Sequence, residues 1–276
     1  MILSAMCSMT LEEVRASAPN LTLWQQIYLF RNRSLTESMV KRAEKQRYGA
    51  IVVTVDSPVA GQVSNLRKSQ VRLPDGESFA NLEASFPGHS FTFDPNDEDN
   101  IADYMSASVT WDDVLWLQTI SDLPVVAKGI LTPESAVEAV NHGVAAVIVS
   151  NHGGRILDGT PATIEALPAI VQAVGNRSEV YLDGGVRTGT DVVKALSLGA
   201  RAVFVGRPVL WGLAYNGKEG VDKMLGILKD ELVRTMQLLG CPNLQDLDEL
   251  LVVREGCYSG PLPTNPHNTA NHATIY

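Results

Sequence analysis

Cysteine, aromatic residues and positive charge are all in short supply in this chain of 276 residues. Its three cysteines, Cys7, Cys241 and Cys257, are odd in number and far apart, which argues against a disulfide framework or a cysteine-based metal site and suits a reducing compartment. Acidic residues outnumber Lys and Arg by 31 to 22, giving a net charge of −9. That balance argues against a nucleic-acid surface or a face for anionic membranes. It leaves room for a small anion, which needs only one local basic site. No apolar run reaches the roughly 18 residues of a membrane span. The opening Met1-Ile2-Leu3-Ser4-Ala5-Met6 has no basic region and too short an apolar stretch for a secretory signal. There is no GxGxxG after a strand, no Walker motif and no His/Cys cluster with ligand spacing, so neither a Rossmann nucleotide site nor a metal is expected. With 45% hydrophobic and 19% charged residues, the rest is an ordinary globule.

What is present is a regular alternation. Short apolar runs predict strands near 1–5, 23–28, 50–55, 124–127, 145–149, 179–182 and 202–205. Amphipathic segments between them predict helices, among them 111–120, 162–174, 190–198 and 217–240. Thr10/Glu13 and Ser34/Glu37 have capping-box spacing, and Thr132-Pro133-Glu134 supplies a cap, a proline at the first helical position and an acid in the first turn. Alternating β and α over this length implies a parallel sheet, either doubly wound or a barrel. The count is seven where a (β/α) barrel closes with eight, so the choice lies between an open sheet and an N-terminally shortened barrel. One connection, about 57–100, is rich in Pro, Gly, Ser, Asn and Asp and reads as a lid or an unstructured insert. The expected organisation is one domain over 1–256 and a polar tail over 257–276.

The strand near 145–149 delivers Ser150-Asn151-His152-Gly153-Gly154-Arg155 at its C-terminal end. A base three residues from a fixed cation can hold a carboxylate and move a proton, and the glycines between them let the backbone turn tightly. A capped loop in which His152 and Arg155 only satisfy backbone groups would give the same spacing. The other strands, however, end in polar groups too: Gln26 and Tyr28, Thr54 and Asp56, Lys128, Asp183-Gly184-Gly185-Val186-Arg187, and Gly206-Arg207. Barrel enzymes collect functional side chains at those ends, and Gly-rich turns after the last two strands commonly bind phosphate. Gly184, Gly185 and Gly206 with Arg187 and Arg207 therefore point to a phosphate-bearing cofactor.

These motifs, with Leu3-Ser4, Thr54-Val55-Asp56-Ser57-Pro58, Ala127-Lys128-Gly129-Ile130, Leu157-Asp158-Gly159 and Val205-Gly206-Arg207-Pro208, resemble the FMN-dependent L-2-hydroxy-acid oxidase and dehydrogenase family from Met1 to about Leu251. The resemblance implies a TIM-type (β/α)8 barrel, here of seven strands, with FMN at its mouth. The implied activity is oxidation of (S)-2-hydroxy acids to 2-keto acids, with O2 as acceptor and H2O2 as product; the alternative is a shortened relative without activity. It implies His152 as catalytic base, Asp56 as its partner, Arg155 on the substrate carboxylate and Tyr28 on the substrate hydroxyl or carboxylate. Ser4, Gln26, Thr54 and Ser150 would contact the cofactor, Lys128 would neutralise the reduced flavin, and Asp183, Gly185, Arg187, Gly206 and Arg207 would hold its ribityl chain and phosphate. A homotetramer is implied, as is a peroxisomal or otherwise cytoplasmic location, although Ala273-Thr274-Ile275-Tyr276 is not a Ser-Lys-Leu-type signal.

The chain departs from the family pattern in several places. The leading helices, first strand and first helix of the barrel are absent, with a tyrosine that touches the substrate carboxylate. Val63 stands seven residues after Asp56 where the family has an arginine, and the nearest basic residue is Arg67. Ile156 replaces a glutamine, and Met6 replaces an aromatic residue near the substrate, which implies a pocket unlike that of a strict glycolate enzyme.

Overall fold

The structure, a computed structural model, describes residues 1–59, 73–94 and 98–253. Val63, Arg67, Cys257 and the tail at 257–276 lie outside the described residues.

Seven strands form one sheet: β1 (Ile2–Leu3), β2 (Trp24–Ile27), β3 (Ile51–Thr54), β4 (Val125–Ile130), β5 (Ala146–Val149), β6 (Glu179–Leu182) and β7 (Ala202–Val203). They lie in sequence order and every pairing is parallel. The helices are α1 (Leu11–Ser17), α2 (Arg33–Lys45), α3 (Ala80–Glu83), α4 (Ile101–Tyr104), α5 (Trp111–Ile120), α6 (Pro133–Asn141), α7 (Thr163–Val174), α8 (Gly189–Ser197) and α9 (Arg207–Leu239). The described part of the long connection thus holds the short α3 and a bridge between Thr92 and Asn100.

Each strand faces two ways because successive side chains alternate. Ile51, Val53, Ala127, Val147, Val149 and Leu182 point outward into the large core shared with the helices. Ala50, Val52, Val126, Ala146, Ile148 and Tyr181 point the other way, into a second cluster with Ile2, Trp24, Ala202 and Phe204. Within it, the ring of Trp24 on β2 lies 5.6 Å from Tyr181 on β6 and 5.8 Å from Phe204 after β7. Strands that far apart in the order meet only if the sheet curls on itself, so this is a barrel wall with a packed interior. Among the described residues it stays open along one line: β1 pairs only with β2, and β7 only with β6.

Local chemistry sets the helix starts. Thr10 and Glu13 form the expected capping box, and Thr132 caps α6 with Pro133 in its first turn. Ser34 and Glu37 do not form theirs. Asn32 caps α2 instead, its side chain accepting from Ser34 N, because Arg33 already begins the helix. The last helix begins directly after Gly206 rather than at 217, and it breaks at Asn216 and Gly217 into two segments. Gly212 and Gly220 let those segments touch, since a Cβ on Gly220 would lie 1.9 Å from Gly212 O. No described helix is long and apolar enough to cross a membrane.

Candidate active site

The alternation that fills the barrel interior also selects the site. Two residues beyond each interior apolar position lies a polar one at the C-terminal rim: Ser4 after Ile2, Gln26 after Trp24, Thr54 after Val52, Lys128 after Val126, Ser150 after Ile148, Asp183 after Tyr181. One further step of two gives Tyr28, Asp56 and His152.

Hydrogen bonds join these side chains into a belt. Gln26 Nε2 donates to Thr54 Oγ1 at 2.9 Å, and Gln26 Oε1 accepts from Ala5 N at 3.1 Å. Lys128 Nζ donates to Ser150 Oγ at 3.1 Å and lies 3.4 Å from Asp183 Oδ2. The pairing of β4 with β5 shifts between Lys128 and Ile130, a bulge at Gly129. There φ is +110°, and an added Cβ would lie 2.5 Å from Asp56 Cβ, so only glycine lets Asp56 sit against β4.

Asp56 in turn fixes His152. Its Oδ1 lies 2.8 Å from His152 Nδ1, and both side chains are 11% exposed. On the other side of the ring, Arg155 Nη2 lies 3.1 Å from His152 Nε2. A guanidinium can only donate. Nε2 is therefore the lone-pair nitrogen and Nδ1 carries the hydrogen that Asp56 accepts, which is the tautomer a general base needs. The turn carrying the pair is left-handed at three successive residues, with φ of +56° at His152, +68° at Gly153 and +71° at Gly154. Ser150 Oγ anchors it by accepting from His152 N at 3.1 Å. Tyr28 is mostly buried beside the pair. Burial pushes its phenol pKa up, Arg155 opposes the rise and Asp56 adds to it, so the group is a neutral donor at ordinary pH.

The turn after β6 is built by residues the sequence did not single out. Thr163 Oγ1 reaches Asp183 O at 2.6 Å and Gly184 O at 3.1 Å. Asp191 Oδ2 accepts from Arg187 N at 3.0 Å and Thr188 N at 2.9 Å. Thr188 and Asp191 have capping-box spacing, a signal that could have found them, whereas Thr163 carries no local signal. Among the described residues an added Cβ on Gly185 or Gly206 would meet nothing within 4 Å, so both turns present open backbone. Asp183 Oδ1, Asp56 Oδ2 and Asn151 Oδ1 are buried without a hydrogen-bond partner among the described residues. Met6 and Ile156 are both partly buried, and Met6 packs against the outer core. A cavity of about 640 Å³ is bounded by Tyr28, Thr54, Ser57, Met105, Trp111 and Gly129 but not by His152 or Arg155. The His152/Arg155 pair belongs instead to the open mouth, where Arg155 is exposed.

A curled parallel sheet with a base, a cation and two open glycine turns at one mouth defines the class: an enzyme-type (β/α) barrel. The particular family follows. The chain belongs to the FMN-dependent dehydrogenase family, whose sequence pattern it matches over residues 1–254. It is 46% identical over 256 residues to 2-hydroxyacid oxidase 1 of Mus musculus, covering 91% of this chain and 69% of the mouse protein. It is 45% identical over 261 residues to an L-lactate oxidase of Nostoc sp., covering 90% of this chain and 69% of that one. A mandelate oxidase variant solved with (S)-mandelic acid superposes with a TM-score of 0.78 at 38% identity, covering 88% of this chain and 66% of its own. The chain thus spans about two thirds of the length of the proteins it matches, and FMN is the cofactor of the family.

Proposed function

We propose that this chain oxidises (S)-2-hydroxy acids to 2-keto acids with FMN, passing the electrons to O2 and releasing H2O2. The observation that carries the reading is the Asp56–His152–Arg155 relay, with Nε2 held as an acceptor next to a cation.

The donor set fits FMN. Asp183 Oδ1, buried and without a partner among the described residues, is an acceptor suited to a ribityl hydroxyl. Gly185 and Gly206 leave backbone open beside the exposed Arg187 and Arg207, which suits a phosphate. Ser4, Gln26, Thr54 and Ser150 would line the ring, and Lys128 would offset negative charge there. When bound, FMN supplies the two-electron acceptor.

The chain's own residues do the rest. Arg155 grips the substrate carboxylate, for which a planar fork suits two parallel hydrogen bonds. That grip draws the guanidinium off Nε2 and uncovers the base as substrate arrives. Tyr28 donates to the substrate hydroxyl or carboxylate. His152 Nε2 takes a proton as the hydroxyl carbon becomes a carbonyl, and the resulting imidazolium lies against the Asp56 carboxylate. Preference for the (S) hand is supported by the mandelate oxidase solved with (S)-mandelic acid. The test is oxygen uptake by the FMN-loaded chain with each lactate enantiomer, with mass spectrometry of the released cofactor. The expected result is uptake with (S)-lactate alone and FMN as the flavin. Equal use of both enantiomers, or FAD as the cofactor, contradicts the proposal.

A further inference from the structure

We propose that Arg207 is a positioning residue that couples the anion turn after β7 to the turn carrying His152. Its Nη2 donates to Gly153 O at 2.5 Å, across 54 residues of sequence. Gly153 lies between His152 and Arg155, so the contact holds the peptide that sets the spacing of the pair.

Three facts make this contact matter. The turn is left-handed at His152 itself, with φ +56°, a conformation that a side-chain-bearing residue keeps only when its surroundings enforce it. Its other anchors are Asp56 beyond β3, through the ring, Ser150, through His152 N, and the bond from Gly154 N to Asn151 O at 2.9 Å, which closes the turn on itself. Arg207 ties Gly153 O to the end of a different strand. A side chain there would also push the guanidinium away: a Cβ on Gly153 would lie 2.6 Å from Arg207 Nη2.

The same guanidinium stands at the start of α9, next to Gly206, whose surroundings are open. A guanidinium has five N–H groups, so one bond to Gly153 leaves others for a phosphate. A phosphate there would pin the guanidinium, and through it the His152 turn. Cofactor binding at one rim would then order the base at another, as a coupling between two sites of one network.

The inference rests on reading His152 and Arg155 as the reacting pair. Its test needs no turnover, so its failure is separable from failure of that reading. Hydrogen exchange at residues 152–155 is measured in the cofactor-free chain and in Arg207→Gln, with the amides of β5 as the control for general loosening. Loss of one charge-assisted bond should speed exchange of the turn about tenfold while β5 stays unchanged. Inorganic phosphate should slow exchange of the turn in the native chain and leave Arg207→Gln unaffected. Equal exchange in the two proteins, or equal phosphate protection in both, overturns the proposal. If Arg207→Gln does not fold, Gly153→Ala breaks the contact from the other side. It should also speed exchange of the turn and abolish the phosphate effect, and phosphate protection at the native level in it overturns the proposal.

Discussion

At His152 two neighbours decide the chemistry before any substrate arrives. Asp56 takes the Nδ1 hydrogen and Arg155 faces the Nε2 lone pair. The spacing of Ser150-Asn151-His152-Gly153-Gly154-Arg155 made the histidine and arginine legible as a pair, because three residues span one turn. Asp56 stood out by position only as a strand-end acid, and its partnership with His152 came from the family resemblance; the link spans 96 residues and depends on Gly129 leaving room. The Arg207–Gly153 and Thr163–Asp183 contacts had no local signal at all. Replacing Arg155 by Lys keeps the charge but removes the fork, at about 1.5–3 kcal/mol for a charge-assisted hydrogen bond. Steady-state kinetics of FMN-loaded Arg155→Lys should therefore give a KM for (S)-2-hydroxy acids raised by roughly ten- to a hundredfold, with a lower kcat. An unchanged KM would mean that the carboxylate is held elsewhere.

Strands and helices were the most legible part, and the reasons differ. The seven strands stood out as apolar runs because both faces of a barrel strand are buried. Their polar ends were readable as a group because the two-residue period places Ser4, Gln26, Thr54, Lys128, Ser150 and Asp183 on one side. The first segment of α9 was missed because its apolar residues, Leu210, Trp211 and Leu213, show no clear face, and all three are exposed. Asp191 belongs to this scale, since it caps α8 and closes the turn after β6. Partial burial works to raise its pKa, but the N–H of Arg187, the Thr188 hydroxyl and N–H, and Lys194 hold it below the ordinary carboxylate value. A lowered pKa means that the carboxylate stabilises the fold above the unfolded value of about 3.9 and that this is lost as pH falls through the lower folded value. In urea unfolding at neutral pH, Asp191→Ala should cost about 0.5–2 kcal/mol, and the difference from the native chain should shrink in acid. A difference that persists unchanged below the folded pKa would contradict the capping role.

For the whole molecule, the strand count left an open sheet or a shortened barrel, and among the described residues the curled sheet is open between β1 and β7. What the sequence did not reveal is how much apolar surface accompanies the opening. Trp211 is 67% exposed, Tyr215 73% and Leu238 83%, all on α9. An amphipathic pattern identifies an apolar face but not what covers it. Unsatisfied backbone groups at a buried edge cost on the order of 1–3 kcal/mol each, against the roughly 5–15 kcal/mol that hold a domain together. A hybrid that adds the mouse relative's N-terminal residues ahead of Met1 should melt at a higher temperature and hold more FMN than residues 1–276 alone. Equal melting and equal flavin occupancy would mean that the open edge costs nothing.

The most direct test of the central claim is anaerobic mixing of the FMN-loaded chain with (S)-lactate, following the visible flavin absorbance. The native chain should bleach, and His152→Asn should retain FMN but bleach about 10²–10⁴-fold more slowly. Bleaching of His152→Asn at the native rate, or none in the native chain with FMN bound, would contradict the account.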